Sequence, residues 1–269
     1  MRAGDTFGLG VLALDHGPGI RDVPGSLSDG FSTSGTPGTG LGAIRRLSHT
    51  FDVFSGDGGT ALLAVLWARP SEPAEDAILV DGISVAMPGE TACGDGWAVV
   101  QGRQRTLVLV VDGLGHGPEA SEAAREAERM FHAQAARPTV DLMASLHEAL
   151  HPTRGAAAAV AEFDRERRIV RFVGIGNVAG VILANGTMRA LASHHGVLGH
   201  TVRKIQEFTY PWPAGAITVL HTDGLLSRWS LDGYPGLLRR HPRLAAGVLY
   251  RDFRRGRDDT TVVVVREAA

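Results

Sequence analysis

The segment from residue 106 to 119, TLVLVVDGLGHGPE, constrains the fold of this chain more than any other segment. Five apolar residues with high strand propensity end at Asp112, and Gly113, Gly115 and Gly117 follow before a polar, alanine-rich helix. A strand of this kind belongs inside a sheet, and the loop after it is a common place for functional groups. Asp112 therefore either caps the helix or binds a metal ion, and this segment alone leaves both interpretations open.

Composition excludes several classes of protein. The 269 residues suffice for one large or two modest domains, and the net charge of −2 gives no electrostatic reason to expect nucleic acid or an acidic membrane as a partner. No apolar run approaches the ~20 residues that span a bilayer, and the N-terminus has no signal-peptide pattern. The single cysteine, Cys93, fits a reducing compartment. We therefore expect a cytoplasmic protein that binds neither nucleic acid nor membrane.

The pattern along the chain predicts two folded segments joined by a linker. Residues 1–68 contain a short buried strand, a long loop at 21–37 rich in Gly, Ser, Thr and Pro, a helix at 41–49 and a hairpin. Residues 69–77 are rich in Pro and Glu and predict the linker. Residues 78–267 are rich in strands.

The strand-rich segment predicts a sandwich of antiparallel sheets. Two consecutive helices, at 117–135 and 139–150, interrupt the strands, and a four-strand meander follows from 156 to 190. Further helices are predicted at 234–240 and 244–253. Repeated βαβ units are missing, so an α+β sandwich is favoured over a parallel sheet.

Three glycine-containing motifs follow one another in the first segment: DHGPGI from Asp15, GTGLG from Gly38, and GGT ending at Thr60. Glycine-rich helix N-termini bind phosphate through backbone N–H groups. The three motifs resemble the C-terminal half of GHKL-type ATPases of the RsbT/RsbW anti-sigma kinase group. That resemblance implies that Asp15 bonds adenine, that the second-motif glycines follow the phosphates, and that ATP contacts Asp15, Gly17, Gly19, Gly38, Gly40, Gly42 and Thr60.

The same segment departs from that group upstream of Asp15. The family's Asn-bearing helix, which supplies its magnesium ligand and catalytic base, has no room in the 14 preceding residues. Either translation begins further upstream or the gene has decayed here. For the chain as printed we expect a partial ATPase α/β layer that does not bind ATP.

Four acidic sites in residues 78–267 share one local character, because each lies where an apolar strand meets a loop. They are Asp95, Asp112, Asp223 and the pair Asp258-Asp259. One such aspartate is usually a turn or cap residue, but four together favour a site for Mg²⁺ or Mn²⁺, which prefer carboxylate oxygens. Two ions ~3.5–4 Å apart suit in-line displacement at phosphorus.

The motifs that carry these aspartates resemble the SpoIIE/RsbU/RsbX branch of the PPM-type metal-dependent Ser/Thr phosphatases. GDGW, VVDGLGHG, GIGN, HTDGL and RDDTT occur in that family's order. The resemblance implies an αββα sandwich in which Asp112 bridges two Mn²⁺ or Mg²⁺ ions together with the Gly113 carbonyl. It further implies that Asp223 and Asp258 complete the coordination of one ion and that Asp95 binds the other ion directly or through water. Asp259 is then expected to support Asp258.

Three positions depart from the eukaryotic PPM pattern. Gly94 stands where those relatives carry Glu, and their phosphate-binding Arg falls near Glu90. Leu114 replaces their His, which leaves His116 as a candidate proton donor to the leaving oxygen. Hydrogen bonding of His116 within its own loop is an equal alternative.

Together the resemblances predict a phosphatase that removes phosphate from Ser or Thr of a STAS-domain anti-sigma antagonist. A sigma factor or a stressosome component is a further candidate partner. Two alternatives stay open: a non-catalytic regulator that binds its partner through the first segment, and an anti-sigma kinase.

Overall fold

The computed structural model describes residues 2–3, 6–32, 38–69, 78–102 and 105–268. The helices are α1 (Val23–Ser26), α2 (Gly40–Leu47), α3 (Pro118–Gln134), α4 (Thr139–Ala149) and α5 (Pro242–Phe253), with one 3-10 turn, Leu237–Arg239. The strands are β1 (Arg2–Ala3), β2 (Thr6–Leu14), β3 (Thr50–Gly56), β4 (Gly59–Trp67), β5 (Ile78–Val85), β6 (Asp95–Gln101), β7 (Arg105–Gly113), β8 (Ala156–Asp164), β9 (Ile169–Ile175), β10 (Ala179–Ala184), β11 (Thr187–Leu191), β12 (Gly196–Val197), β13 (Thr201–Val202), β14 (Phe208–Pro211), β15 (Ile217–His221) and β16 (Thr260–Glu267).

Two five-stranded antiparallel sheets form the sandwich that the sequence predicts. Their strand orders are β14-β9-β8-β7-β6 and β11-β10-β15-β16-β5. Strand β7 shows why both faces are buried: Val108 and Val110 face the other sheet, whereas Leu107, Leu109 and Val111 face α3 and α4. Since side chains alternate along a strand, a continuous apolar run fills both layers of core. The predicted α+β fold class is confirmed.

The N-terminal strands add a layer to the opposite side of the sandwich. They form a four-stranded sheet, β1-β2-β4-β3, and their inward side chains share one hydrophobic cluster with α5 and with β15 and β16. Leu63 and Val65 of β4 are members of this cluster, as are Val262 and Val264 of β16. Helix α5 therefore lies between two sheets. At Gly247 of α5 an added Cβ would lie 2.9 Å from Leu12, so glycine permits this close approach.

Several local predictions were wrong. The predicted meander is divided between the sheets: β8 pairs with β9 in one, and β10 pairs with β11 in the other. The chain crosses between the sheets at Gly176, whose φ of +88° suits glycine. The long loop contains α1, and the helix predicted at 234–240 is only a 3-10 turn. Strands β12 and β13 were not predicted, and the linker lies largely outside the described residues.

Membrane insertion was not expected from the hydropathy of the sequence. Among the described residues, no helix combines the length and apolar character needed to cross a bilayer.

Candidate metal centre

The predicted aspartates converge at one end of the sandwich. Asp95 and Asp112 lie directly opposite each other in the β6–β7 ladder, so the pairing of two strands places two carboxylates side by side. Asp223 follows β15 and Asp258 precedes β16, and these two strands are neighbours in the other sheet. A cavity of about 280 Å³ lies at this end, and it is lined by Asp112, Leu114, Gly115, His116, Ala157, Asn177, Asp223, Arg257 and Asp258.

Asp95 lies behind this cavity and does not line it. Its side chain is buried, and its Oδ2 accepts a hydrogen bond of 2.6 Å from the Thr222 hydroxyl. This Thr222–Asp95 bond joins the two sheets, and the Thr222 hydroxyl in turn accepts a bond from the backbone N–H of Thr261 on the neighbouring strand β16. One oxygen of Asp95 is thus held by protein, which favours contact with an ion through its other oxygen or through water.

Asp259 faces away from the cavity and holds the loop that leads into β6. Its two oxygens accept backbone N–H bonds of 2.7 Å from Met87 and from Gly94. A Cβ at Gly94 would lie 2.7 Å from Ala120 and 2.8 Å from the Asp259 carboxylate, so a Glu at this position would not fit without movement. Asp259 therefore has the contacts of a supporting residue.

Burial, together with crowding of carboxylates, determines the electrostatics of the site. Burial, followed by repulsion from Asp95 and Asp223, raises the pKa of Asp112 to about 8. Burial also raises the pKa of Asp95 to about 7, against the Thr222 hydrogen bond, which lowers it. The pKa of Asp258 is raised by burial and by Asp223. Burial is thus the first cause of each raised pKa, and repulsion between the carboxylates adds to it.

The donor set fits hard divalent cations. The cavity offers three carboxylates and borders on the Gly113 peptide, and such oxygens are the preferred ligands of Mg²⁺ and Mn²⁺. Among the described residues, no three of the predicted aspartates bring oxygens within 4.8 Å of one another, so binding of one ion by Asp112, Asp223 and Asp258 together would require their side chains to move. Gly113 itself is tightly packed, since an added Cβ would lie 2.2 Å from the Ala120 carbonyl oxygen.

Four further side chains complete the surroundings of the cavity. His116 lines it, and its Nδ1 lies 2.6 Å from Glu90 Oε1, so Glu90 orients the imidazole. Asn177 donates a bond of 2.8 Å to Asp223. Sequence reasoning assigned no role to Asn177 or Thr222, although both lie within the GIGN and HTDGL motifs, because only the tertiary structure shows which carboxylate each one contacts.

The residues predicted to bind ATP are only partly brought together. Gly19, Gly38 and Gly40 line a cavity of about 820 Å³ between α1, α2 and the β3–β4 turn. Asp15 does not line it, and its Oδ1 accepts backbone bonds from Gly17 at 2.7 Å and from Thr60 at 3.1 Å. Gly42, which lies on α2, is packed against the Asp29 carboxylate. An adenine contact at Asp15 stays a prediction.

Comparisons with known proteins identify the family of this chain and two related proteins. The family model "Stage II sporulation protein E (SpoIIE)" matches residues 102–267. The phosphoserine phosphatase RsbX of Bacillus subtilis (strain 168) is 25% identical over 138 residues, 51% of this chain and 69% of that protein. The serine/threonine-protein kinase RsbT of the same organism is 46% identical over 63 residues, 23% of this chain, and the match spans only about half of RsbT, 47%.

Solved structures extend the likeness to the fold. A chain in the structure of the bacterial stressosome, a modular system adapted to control secondary messenger signaling, superposes with a TM-score of 0.67 at 26% identity, covering 71% of this chain and all of that one. RsbX in complex with magnesium superposes with a TM-score of 0.63 at 22% identity, covering 73% and 98%. The fold is therefore that of the PPM phosphatases, and the chain belongs to the SpoIIE family.

Proposed function

We propose that this chain is a Mn²⁺- or Mg²⁺-dependent phosphatase that hydrolyses phosphate monoesters of Ser or Thr. The observation that carries the proposal is the convergence of Asp112, Asp223 and Asp258 on one cavity, with Asp95 directly behind them. Burial and mutual repulsion raise the pKa of three of these aspartates, and strongly perturbed carboxylates that cluster at a cavity are candidates for a functional site. Membership of the SpoIIE family supports the same reaction class.

Most side chains of the site would bind the metal ions, and one would transfer a proton. The two ions would supply a water nucleophile at neutral pH and neutralise charge on the phosphoryl oxygens. Asp112 and the Gly113 carbonyl would hold both ions, and Asp223, oriented by Asn177, and Asp258 would hold one of them. His116, held by Glu90, would donate a proton to the leaving Ser or Thr oxygen.

We further propose that the substrate is a phosphorylated STAS-domain protein of a bacterial partner-switching pathway. Likeness to a phosphoserine phosphatase, to a kinase and to a stressosome chain supports this class of partner. A sigma factor or another stressosome component is a further candidate partner.

Phosphate release from p-nitrophenyl phosphate and from a phosphoserine STAS protein tests the function. We expect turnover with Mn²⁺, none after chelation, and a loss of at least ~100-fold for Asp112→Asn. Asp232→Asn is the matched control, because Asp232 is exposed and lies outside the cavity lining. Continued Mn²⁺-dependent turnover by the Asp112→Asn protein would contradict the mechanism.

The RsbT-like segment supports a second candidate function, partner binding without catalysis. The observation that supports this second function is the 46% identity to RsbT over 63 residues. Retention of a STAS protein without nucleotide, combined with no metal-dependent turnover, would favour this function. Titration calorimetry with ATP tests the kinase alternative, for which we expect no heat of binding.

A further inference from the structure

The cavity of the metal centre contains one permanent cation that the assigned roles leave unused. Arg257 lines this cavity beside Asp223 and Asp258. Its side chain is exposed, and within the described part of the chain it makes no hydrogen bond or ion pair.

Two neighbouring basic side chains are engaged elsewhere. Arg154, which approaches Gly115 of the cavity, forms an ion pair with Glu119. His116 is paired with Glu90. Among the described residues that line the cavity, Arg257 is therefore the arginine that is available to bind a negatively charged group other than a metal ligand.

Two other arginines of the basic run from residue 251 to 257 also have partners, unlike Arg257. Arg251 is buried in an ion pair with Asp252, and Arg254 donates to the Tyr250 hydroxyl at 2.7 Å while lying over the Tyr250 ring. After these, Gly256 adopts a φ of +76°, a left-handed conformation that favours glycine. This turn directs the chain from α5 to the cavity edge and places Arg257 there.

We propose that Arg257 binds the phosphoryl oxygens of the substrate and holds the phosphate against the metal centre. A guanidinium presents two parallel N–H donors that match two phosphate oxygens, and it stays charged at every pH at which the enzyme would act. The inference rests on the proposed phosphatase function and deepens it, since it assigns the group that recognises the phosphate. Aspartates alone would repel a phosphate dianion, so a cation at the cavity edge also favours its entry.

Steady-state kinetics on p-nitrophenyl phosphate, with inhibition by inorganic phosphate, test the assignment. For Arg257→Ala we expect KM and the phosphate inhibition constant to rise about tenfold, in line with a charge-assisted hydrogen bond of ~1.5 kcal/mol. Arg257→Lys keeps the charge but loses the two-donor geometry, so we expect a smaller rise. Mn²⁺ affinity, measured by calorimetry, should stay within about twofold, which separates phosphate binding from damage to the metal site.

Arg255→Ala is the matched control, because Arg255 is exposed in the same run and outside the cavity lining. Unchanged KM and phosphate inhibition in Arg257→Ala, with intact Mn²⁺ binding, would overturn the assignment. If the parent protein shows no turnover, the proposed function fails by itself. Calorimetry of inorganic phosphate with the Mn²⁺-loaded parent and Arg257→Ala proteins then decides the role of Arg257 separately: equal affinities overturn it, and a tenfold difference supports it.

Discussion

Leu63→Ala is expected to destabilise the phosphatase sandwich although Leu63 belongs to the N-terminal sheet. Leu63 is 0% exposed and lies in the hydrophobic cluster that β4 shares with α5 and β16. The substitution removes three buried carbons, worth ~2.4 kcal/mol at ~0.8 kcal/mol each, and it leaves a cavity that adds to this cost. We expect a loss of about 3 kcal/mol or more, which lowers Tm by about 6–12 °C for a protein of this size.

Differential scanning calorimetry and thermal inactivation of Mn²⁺-dependent turnover measure this effect together. We expect one transition, with both signals shifted by the same amount, because the cluster joins both parts of the chain. Leu9→Ala is the matched control: Leu9 is 67% exposed on the opposite face of the same sheet, and its loss should cost at most ~0.5 kcal/mol. Two transitions, of which Leu63→Ala shifts only one and leaves inactivation unchanged, would refute the idea of a shared core.

Three further results are expected. The folded-state pKa values of Asp112, about 8, and Asp95, about 7, lie above the value of 3.8 for an unperturbed Asp, so in the metal-free protein these two groups bind more protons in the folded state than in the unfolded one. The stability that they contribute is therefore fully present below pH ~4 and is lost as pH rises to ~8, by at most ~1.4 kcal/mol per pH unit and group. Urea unfolding in chelator at several pH values, compared between the parent protein and Asp112→Asn, measures this contribution. Saturating Mn²⁺ should remove that slope. Asp259→Asn replaces an acceptor of two backbone N–H bonds, so it should cost ~1–3 kcal/mol in urea unfolding and weaken Mn²⁺ binding in calorimetry, whereas unchanged values would contradict the supporting role. Gly113→Ala forces a Cβ to 2.2 Å from the Ala120 carbonyl oxygen, so we expect little folded protein by circular dichroism, and a native Tm would contradict this packing.

The local sequence pattern was sufficient to predict most helices and strands of residues 78–267. The helix predicted at 139–150 is observed as Thr139–Ala149, and the strand predicted at 156–164 is observed with the same bounds. These elements are long and have clear start and end signals, so their neighbours in space hardly alter them. The 3-10 turn at Leu237–Arg239 shows the opposite case, since a short apolar run does not distinguish a turn from a helix.

Sequence alone also located the aspartates at strand ends, because the position of a residue at the end of an apolar run is a local property. It could not show that Asp95 receives its hydrogen bond from Thr222, 127 residues further along the chain. Likewise, it left the basic run at 251–257 undivided, and only the turn at Gly256 separates Arg257 from Arg254.

The amino-acid sequence by itself determined the α+β class of this protein, the residue types of its candidate metal centre and its family, since periodicity and motif order are local properties of the chain. Tertiary structure alone decided how strands pair beyond local hairpins such as β3–β4, and it divided the predicted meander between two sheets. It also decided that α5 is covered by the N-terminal sheet, because burial of Leu63 and Val264 in one cluster depends on residues 201 positions apart meeting in space. Pairing and burial of this kind arise from contacts between distant segments, which no local pattern encodes.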